Sequence, residues 1–169
     1  MFNPCLGCSA PCCTRYLVTV TSFDVLRIAK KTGMKLEEFA DFYPAKLLNQ
    51  DWKSVLFFFD YNDPPDYSLL ALKSWPCVFL ENGRCRIHDF APFACKRYPF
   101  DMSGDFKRRD CSLISQVFFR FKGPQAEGRI WEIDAYREIV KEWNGKKGRK
   151  KDCMDFLMKR TADFKGYAD

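Results

Sequence analysis

Apolar residues recur along this chain at two different spacings, and the change from one to the other marks its elements. Tyr16 to Val20 is short and partly β-branched, and reads as a strand. Thr21 or Ser22 can then cap a helix that carries Val25, Leu26, Ile28 and Ala29 and stops at Gly33. Leu36 to Tyr43 has the look of a second short helix that must end before Pro44. Ser54 to Phe59 and Tyr67 to Leu72 are β-favouring runs separated by Asn-Asp-Pro-Pro-Asp, which predicts two strands and a loop. Cys77-Val-Phe-Leu and Arg84-Cys-Arg-Ile flank Glu81-Asn82-Gly83, and Asn-Gly between apolar runs predicts a hairpin that brings Cys77 and Cys85 together.

Past Pro92 the pattern is a helical turn as far as Cys95, and Pro99 prevents its continuation. Gln116 to Phe121 resembles a strand, and the runs Leu56 to Phe59 and Phe118 to Phe121 are read as core strands. Pro124 opens a long candidate helix to Asn144, striped with Ile130, Ile133, Ile139, Val140 and Trp143 and stopped by Gly145. Lys146 to Lys151 is a basic linker, and Asp152 to Phe164 is a last amphipathic helix. Helices interspersed with short strands and a hairpin give an α+β class. The first thirteen residues fit neither period: Pro, Gly and four cysteines read as a ligand loop.

The 169 residues, 47% of them hydrophobic and 17% aromatic, suffice for one core, so residues 1–169 are read as a single domain, with 146–169 as a basic linker and C-terminal helix. No run approaches the roughly 20 apolar residues of a membrane span, and the first residues lack the basic and apolar regions of a signal peptide. The expectation is a cytoplasmic protein with no membrane association.

That compartment changes how nine cysteines are read. Cytosolic reductants keep thiols free while metals still bind them, and an odd count opposes complete disulfide pairing. Eight of the nine fall into Cys5-x2-Cys8-x3-Cys12-Cys13 and Cys77-x7-Cys85-x9-Cys95, with Cys111 beyond. Close spacing lets one loop turn several thiolates toward one centre. Cys12 and Cys13 are adjacent, and adjacent side chains diverge on most backbones, so one of the pair is expected to serve a second site. Eight ligands then fill two four-thiolate sites or one larger centre; a single four-ligand site with spare thiols also stays open. All-thiolate ligation suits zinc and iron–sulfur alike, and the irregular spacing favours the cluster, [4Fe-4S] first, with zinc as the alternative.

Cys153 reads as a partly buried helical cysteine. His88 is the sole histidine, which excludes a multi-histidine metal site; it is a polar neighbour of the site, a ligand or a proton carrier. Arg84, Arg86, Lys96 and Arg97 flank the cysteines, where they either lower thiol pKa values or are ordinary solvated charge. The net charge of +6 is uneven: residues 1–106 hold 12 basic and 12 acidic side chains, residues 107–169 hold 16 and 10. A 2+ cluster core on four thiolates adds about two negative charges, so two such sites would bring +6 to about +2. Gly145-Lys-Lys-Gly-Arg-Lys-Lys has no interleaved aromatics to stack bases, which points away from nucleic acid and leaves an unidentified protein partner.

Cys5-x2-Cys8-x3-Cys12-Cys13, then Cys77-Val-Phe-Leu, Gly83-Arg-Cys85-Arg-Ile87, Pro92-Phe-Ala-Cys95-Lys-Arg-Tyr-Pro99 and Asp110-Cys111 together resemble the CxxCxxCC family, also called the YkgJ type, of zinc- or iron-chelating domain proteins. The resemblance covers nearly the whole chain and implies that Cys5, Cys8, Cys12, Cys13, Cys77, Cys85, Cys95 and Cys111 are metal ligands. It departs from the family pattern at His88, where the family has an aromatic, and at Ala91, where it has an arginine before the proline. The chain is similar as well to the metal-binding part of flagellin lysine-N-methylases, where an iron–sulfur cluster accompanies methyl transfer from S-adenosylmethionine. No G-x-G-x-x-G fingerprint is present, so that activity does not carry over. Three functions follow: an iron–sulfur protein in electron transfer, redox sensing or support of a modification enzyme; a zinc-stabilised binding module; and an enzyme with an open metal position.

Overall fold

The computed structural model describes residues 11–47, 55–59, 67–73, 76–100, 104–106, 117, 121, 123, 126–146 and 148–164. Its architecture is α+β, with one hydrophobic core joining Val20 to Leu157. Helix α1 spans Pro11–Arg15, α2 Ser22–Thr32 and α3 Leu36–Phe39, and strand β1 follows directly as Ala40–Pro44. Strands β2 (Phe57–Phe58) and β3 (Tyr67–Leu72) come next, then the hairpin β4 (Leu80–Glu81) and β5 (Arg84–Cys85). Helix α4 is Phe93–Arg97, α5 Ile130–Lys146 and α6 Lys150–Ala162.

Helix α2 is closed at both ends by the predicted residues. Thr21 Oγ1 accepts from Asp24 N at 3.1 Å while Thr21 N donates to Asp24 Oδ2 at 3.0 Å, a reciprocal capping box. Gly33 turns left-handed at φ 71° and its N–H returns to Ala29 O at 2.9 Å.

The sheet order is β1-β3-β2, all antiparallel. Ala40 pairs with Leu72 and Pro44 with Ser68, so β1 takes one whole edge of β3. The other edge is shared: β2 covers Ser68 and Tyr67, and Val18–Val20 reaches the far end, with Val20 N bonded to Leu70 O and Leu72 N to Val18 O. Ser68 to Leu72 are all buried, so β3 is covered on both faces. Against β2, Phe42 meets Phe57 and Phe59 edge-on at 5.0 and 5.2 Å, and α5 lays Tyr136 and Trp143, seven residues apart on one helical face, over Phe57 and Phe59. The outer edge of β2 is completed by a side chain. Asn144 Oδ1 accepts from Phe58 N at 2.8 Å and its Nδ2 donates to Leu56 O at 2.8 Å, continuing the ladder without a strand.

Several expectations are corrected. The helix expected over Leu36 to Tyr43 stops at Phe39, because Ala40–Pro44 finds a full antiparallel partner in β3, buries Ala40 and Phe42 and leaves Asp41 half-exposed. Tyr16 to Val20 makes an isolated bridge, Thr19 with Ala71, in place of a strand. Val117 and Phe121, the described positions of the run read as a core strand, are helical and exposed, Phe121 by 89%. Helix α5 begins at Ile130 after a 3-10 turn over Glu127–Arg129 and runs through Gly145; Pro124 lies outside the described residues. The helix ends at Lys146 instead, and at Gly148 beyond it a Cβ would clash with the Trp143 ring, so only glycine lets the chain pass that indole. Among the described residues no helix is long and apolar enough to cross a membrane.

Candidate metal centre

The hairpin supplies two of the thiols. Asn82 and Gly83 take φ values of 48° and 73°, the doubly left-handed turn that matches strand twist, and Leu80 pairs with Cys85. Buried Phe79 and Ile87 anchor its two arms in the core. Both arms treat their cysteine alike: the N–H of Phe79 hydrogen-bonds the Cys77 sulfur and that of Ile87 the Cys85 sulfur, each two residues on. An amide aimed at sulfur favours the thiolate over the thiol.

The N-terminal thiols join through the backbone. Cys77 N donates to Cys13 O at 2.8 Å, which lays α1 along the start of the hairpin. Cys12 and Cys13 thus lie on a helical turn rather than in a loop, and their Sγ atoms are 3.8 Å apart. The divergence expected of adjacent cysteines does not occur. Two thiolates at 2.3 Å on one tetrahedral ion stand about 3.8 Å from each other, so this pair has the separation of a shared ion.

Cys95 arrives on α4, a single turn that Pro92 precedes and Tyr98 ends; Lys96 N returns to Pro92 O at 3.0 Å and Tyr98 N to Ala94 O at 3.0 Å. The turn is held from outside. Phe93 N donates to Asp24 Oδ1 at 2.9 Å, and Arg129 Nη1 donates to Ala91 O at 3.2 Å.

Electrostatics show that these segments converge. Cys77 is raised from its ordinary pKa by burial and then by the charges of Cys85 and Cys12, against the Phe79 amide; Cys85 is raised by burial and Cys12, against the Ile87 amide and Lys96. Cys95 is raised well above the ordinary value by burial, then by Cys12, Cys77, Cys85 and Asp24. Cys12 is raised by its hydrogen bond with Cys13, by burial and by the Cys13 charge. Cys12, Cys77, Cys85 and Cys95, from three separate segments, therefore form one electrostatic neighbourhood in which every thiolate opposes the next. A cation reverses that balance.

The donor chemistry suits a thiophilic metal: partly buried thiols, with amides already directed at two of the sulfurs. Among the described residues no three His, Cys, Asp or Glu side chains gather closely enough to hold one ion. Cys5, Cys8 and Cys111, with Asp110, lie outside the described residues. Cys153 is buried in α6, raised by burial alone, and stands apart from this neighbourhood as a core cysteine. His88, on a 3-10 turn, has its pKa lowered by burial and Lys96 against a smaller effect of Asp89, so it is neutral at pH 7. Of the flanking cations, Lys96 acts on Cys85, whereas Arg86 pairs with Glu81 at 3.3 Å and the buried Arg97 with Glu127 at 2.7 Å.

Sequence reasoning missed the group behind α4: Asp24, Arg27, Arg129 and Glu132. Thr21-x-x-Asp24 is a capping signature that marks Asp24 at the start of α2. Nothing local foretells its contact with Arg129, 105 residues later.

A family model described as "CxxCxxCC: putative zinc- or iron-chelating domain" matches residues 4–113 of the chain. No curated protein and no solved structure matches it at a significant level.

Proposed function

The chain belongs to the CxxCxxCC family of metal-chelating domains, and from that premise we propose that Cys5, Cys8, Cys12, Cys13, Cys77, Cys85, Cys95 and Cys111 hold iron as iron–sulfur, [4Fe-4S] first, in a redox, electron-transfer or modification-accessory role. One observation carries the reading: four thiols from three separate segments share a partly buried neighbourhood whose ionised form a cation would stabilise. Amides directed at the Cys77 and Cys85 sulfurs, and the surrounding aromatics, are the features by which a protein sets a cluster's potential. When bound, a cluster would supply one-electron chemistry; the chain's own part is to present thiolates, exclude water and direct N–H groups at sulfur.

A second reading, a zinc-stabilised binding module without redox chemistry, is favoured by the 3.8 Å between the Cys12 and Cys13 sulfurs, which suits two ligands of one tetrahedral ion. Anaerobic purification followed by iron, acid-labile sulfide and zinc analysis separates the two. Iron with sulfide in matching amounts is the expected result. A colourless protein with stoichiometric zinc and no sulfide, even after anaerobic reconstitution, sinks the cluster and leaves the zinc module. Serine at Cys12 and at Cys13, one at a time, should each lower the metal recovered.

A further inference from the structure

Helix α4 is five residues long, far below the roughly 12 needed for a helix to persist unaided, so the orientation of Cys95 is decided by what grips the turn. The grip is a buried charge group. Asp24 is 1% exposed and Glu132 3% at the side chain, and Arg27 and Arg129 are about one-fifth exposed. Asp24 Oδ1 accepts from Arg27 Nη1 at 3.1 Å, from Arg129 Nη2 and from Phe93 N; Oδ2 accepts from Thr21 N and Oγ1. Glu132 binds Arg27 Nη2 and accepts from Arg129 Nε and Nη2 at 3.1 Å. Two carboxylates and two guanidiniums sum to zero charge, which is what makes their burial tolerable.

The group clamps the chain immediately before Cys95 at two points: Arg129 on the carbonyl of Ala91 and Asp24 on the N–H of Phe93, either side of a proline that has no N–H to give. The Phe93 ring lies under the guanidiniums of Arg97 and Arg129 at 5.9 and 6.0 Å, and Arg97 reaches Glu127 just before α5. Three of these residues, Glu127, Arg129 and Glu132, lie beyond residue 113, where the family match ends.

We infer that Arg129, with Asp24 and Glu132, is a positioning residue for Cys95, so that the start of α5 belongs functionally to the metal centre. The inference rests on the metal-binding reading above. Arg129 fixes the turn that aims the thiol, holding the Ala91 carbonyl directly and pairing with the buried Asp24 carboxylate that accepts from Phe93 N. By linkage, a metal that gains from this clamp tightens α5 onto the rest of the chain in return.

The test uses the full metal-free chain under anaerobic, reducing conditions, titrated with Co2+, whose sulfur-to-cobalt charge-transfer absorption scales with the thiolates bound. Arg129→Met should weaken Co2+ binding by about tenfold or more, as loss of a group supporting a ligand does, and lower the charge-transfer intensity at saturation. Arg129→Lys keeps the charge but loses the fork, and should fall between parent and Met variant. Leu157→Ala, a cavity in α6 where that helix packs on α2 and α5, serves as the comparison: destabilised, with Co2+ affinity and spectrum kept. If Arg129→Met and Leu157→Ala, matched for stability, bind Co2+ alike, the inference is overturned. If the Met variant does not fold, a folded Arg129→Lys that matches the parent in affinity and spectrum overturns it equally. A parent that binds neither Co2+ nor, on anaerobic reconstitution, iron with sulfide overturns the metal-binding reading itself, an outcome distinct from both.

Discussion

Filling this site with a divalent ion must expel protons, and burial sets how many. Cys12, Cys77, Cys85 and Cys95 keep their protons through neutral pH in the metal-free chain, since each is raised above the ordinary thiol value. Below its pKa a thiol must release a proton to become a ligand, so metal affinity climbs with pH and levels off only above that pKa. Each such thiol contributes one log unit of apparent affinity per pH unit, about 1.4 kcal/mol. A centre drawing on all four gains about four log units, about 5.5 kcal/mol, for one unit of pH. Competition between the protein and a chromophoric zinc chelator across roughly pH 6 to 7.5 measures the slope, and calorimetry in buffers of different ionisation enthalpy counts the protons. Cys85→Ser should lower the slope by about one and the proton count with it. A slope near zero in the parent, or one unchanged in Cys85→Ser, would mean that the thiols are ionised beforehand and would refute the reasoning from burial.

Three further outcomes are expected. Asn144→Ala leaves the Phe58 N–H and the Leu56 carbonyl without their side-chain partner and should cost about 2 kcal/mol in urea denaturation, whereas a loss under about 0.5 would mean that water replaces the amide. Gly148→Ala forces a methyl against the Trp143 ring and should destabilise by about 1–3 kcal/mol, with a changed near-ultraviolet signal from that indole. The metal-free chain should lose stability in alkali. Cys153 has a raised pKa in the fold, so its contribution is complete below the ordinary thiol value of about 9 and declines as pH rises past it, and Cys153→Ala should lessen the fall in melting temperature between about pH 8 and 10.

What could be read from the sequence was what neighbouring residues decide among themselves. Thr21, Asp24 and Gly33 bound α2 through bonds within a few residues, Asn82-Gly83 makes its turn from two backbone angles, and Pro92 and Pro99 delimit the Cys95 turn. What escaped was decided at a distance. Ala40–Pro44 became a strand because β3, some thirty residues on, offered a free edge. Adjacent Cys12 and Cys13 were expected to diverge, and the helical turn of α1, held to the hairpin by the Cys13 carbonyl, draws their sulfurs together. Flanking arginines left open whether they acidify the thiols or are ordinary solvated charge. Arg86 and Arg97 are instead engaged by Glu81 and Glu127, and burial drives Cys77, Cys85 and Cys95 the other way. Spacing grouped Cys77 with Cys85 but could not show that Cys12 and Cys95 share their surroundings.

The amide of Asn144 also bears on how this protein fails. Behind it lies Leu56-Phe57-Phe58-Phe59, an uncharged and strongly β-forming run whose outer edge would otherwise offer unpaired N–H and C=O groups to any passing chain. One helical side chain occupies the place a foreign strand would take. Detachment of α5 would therefore do more than loosen the core: it would open a template for self-association, and the seating of that helix guards solubility as well as stability.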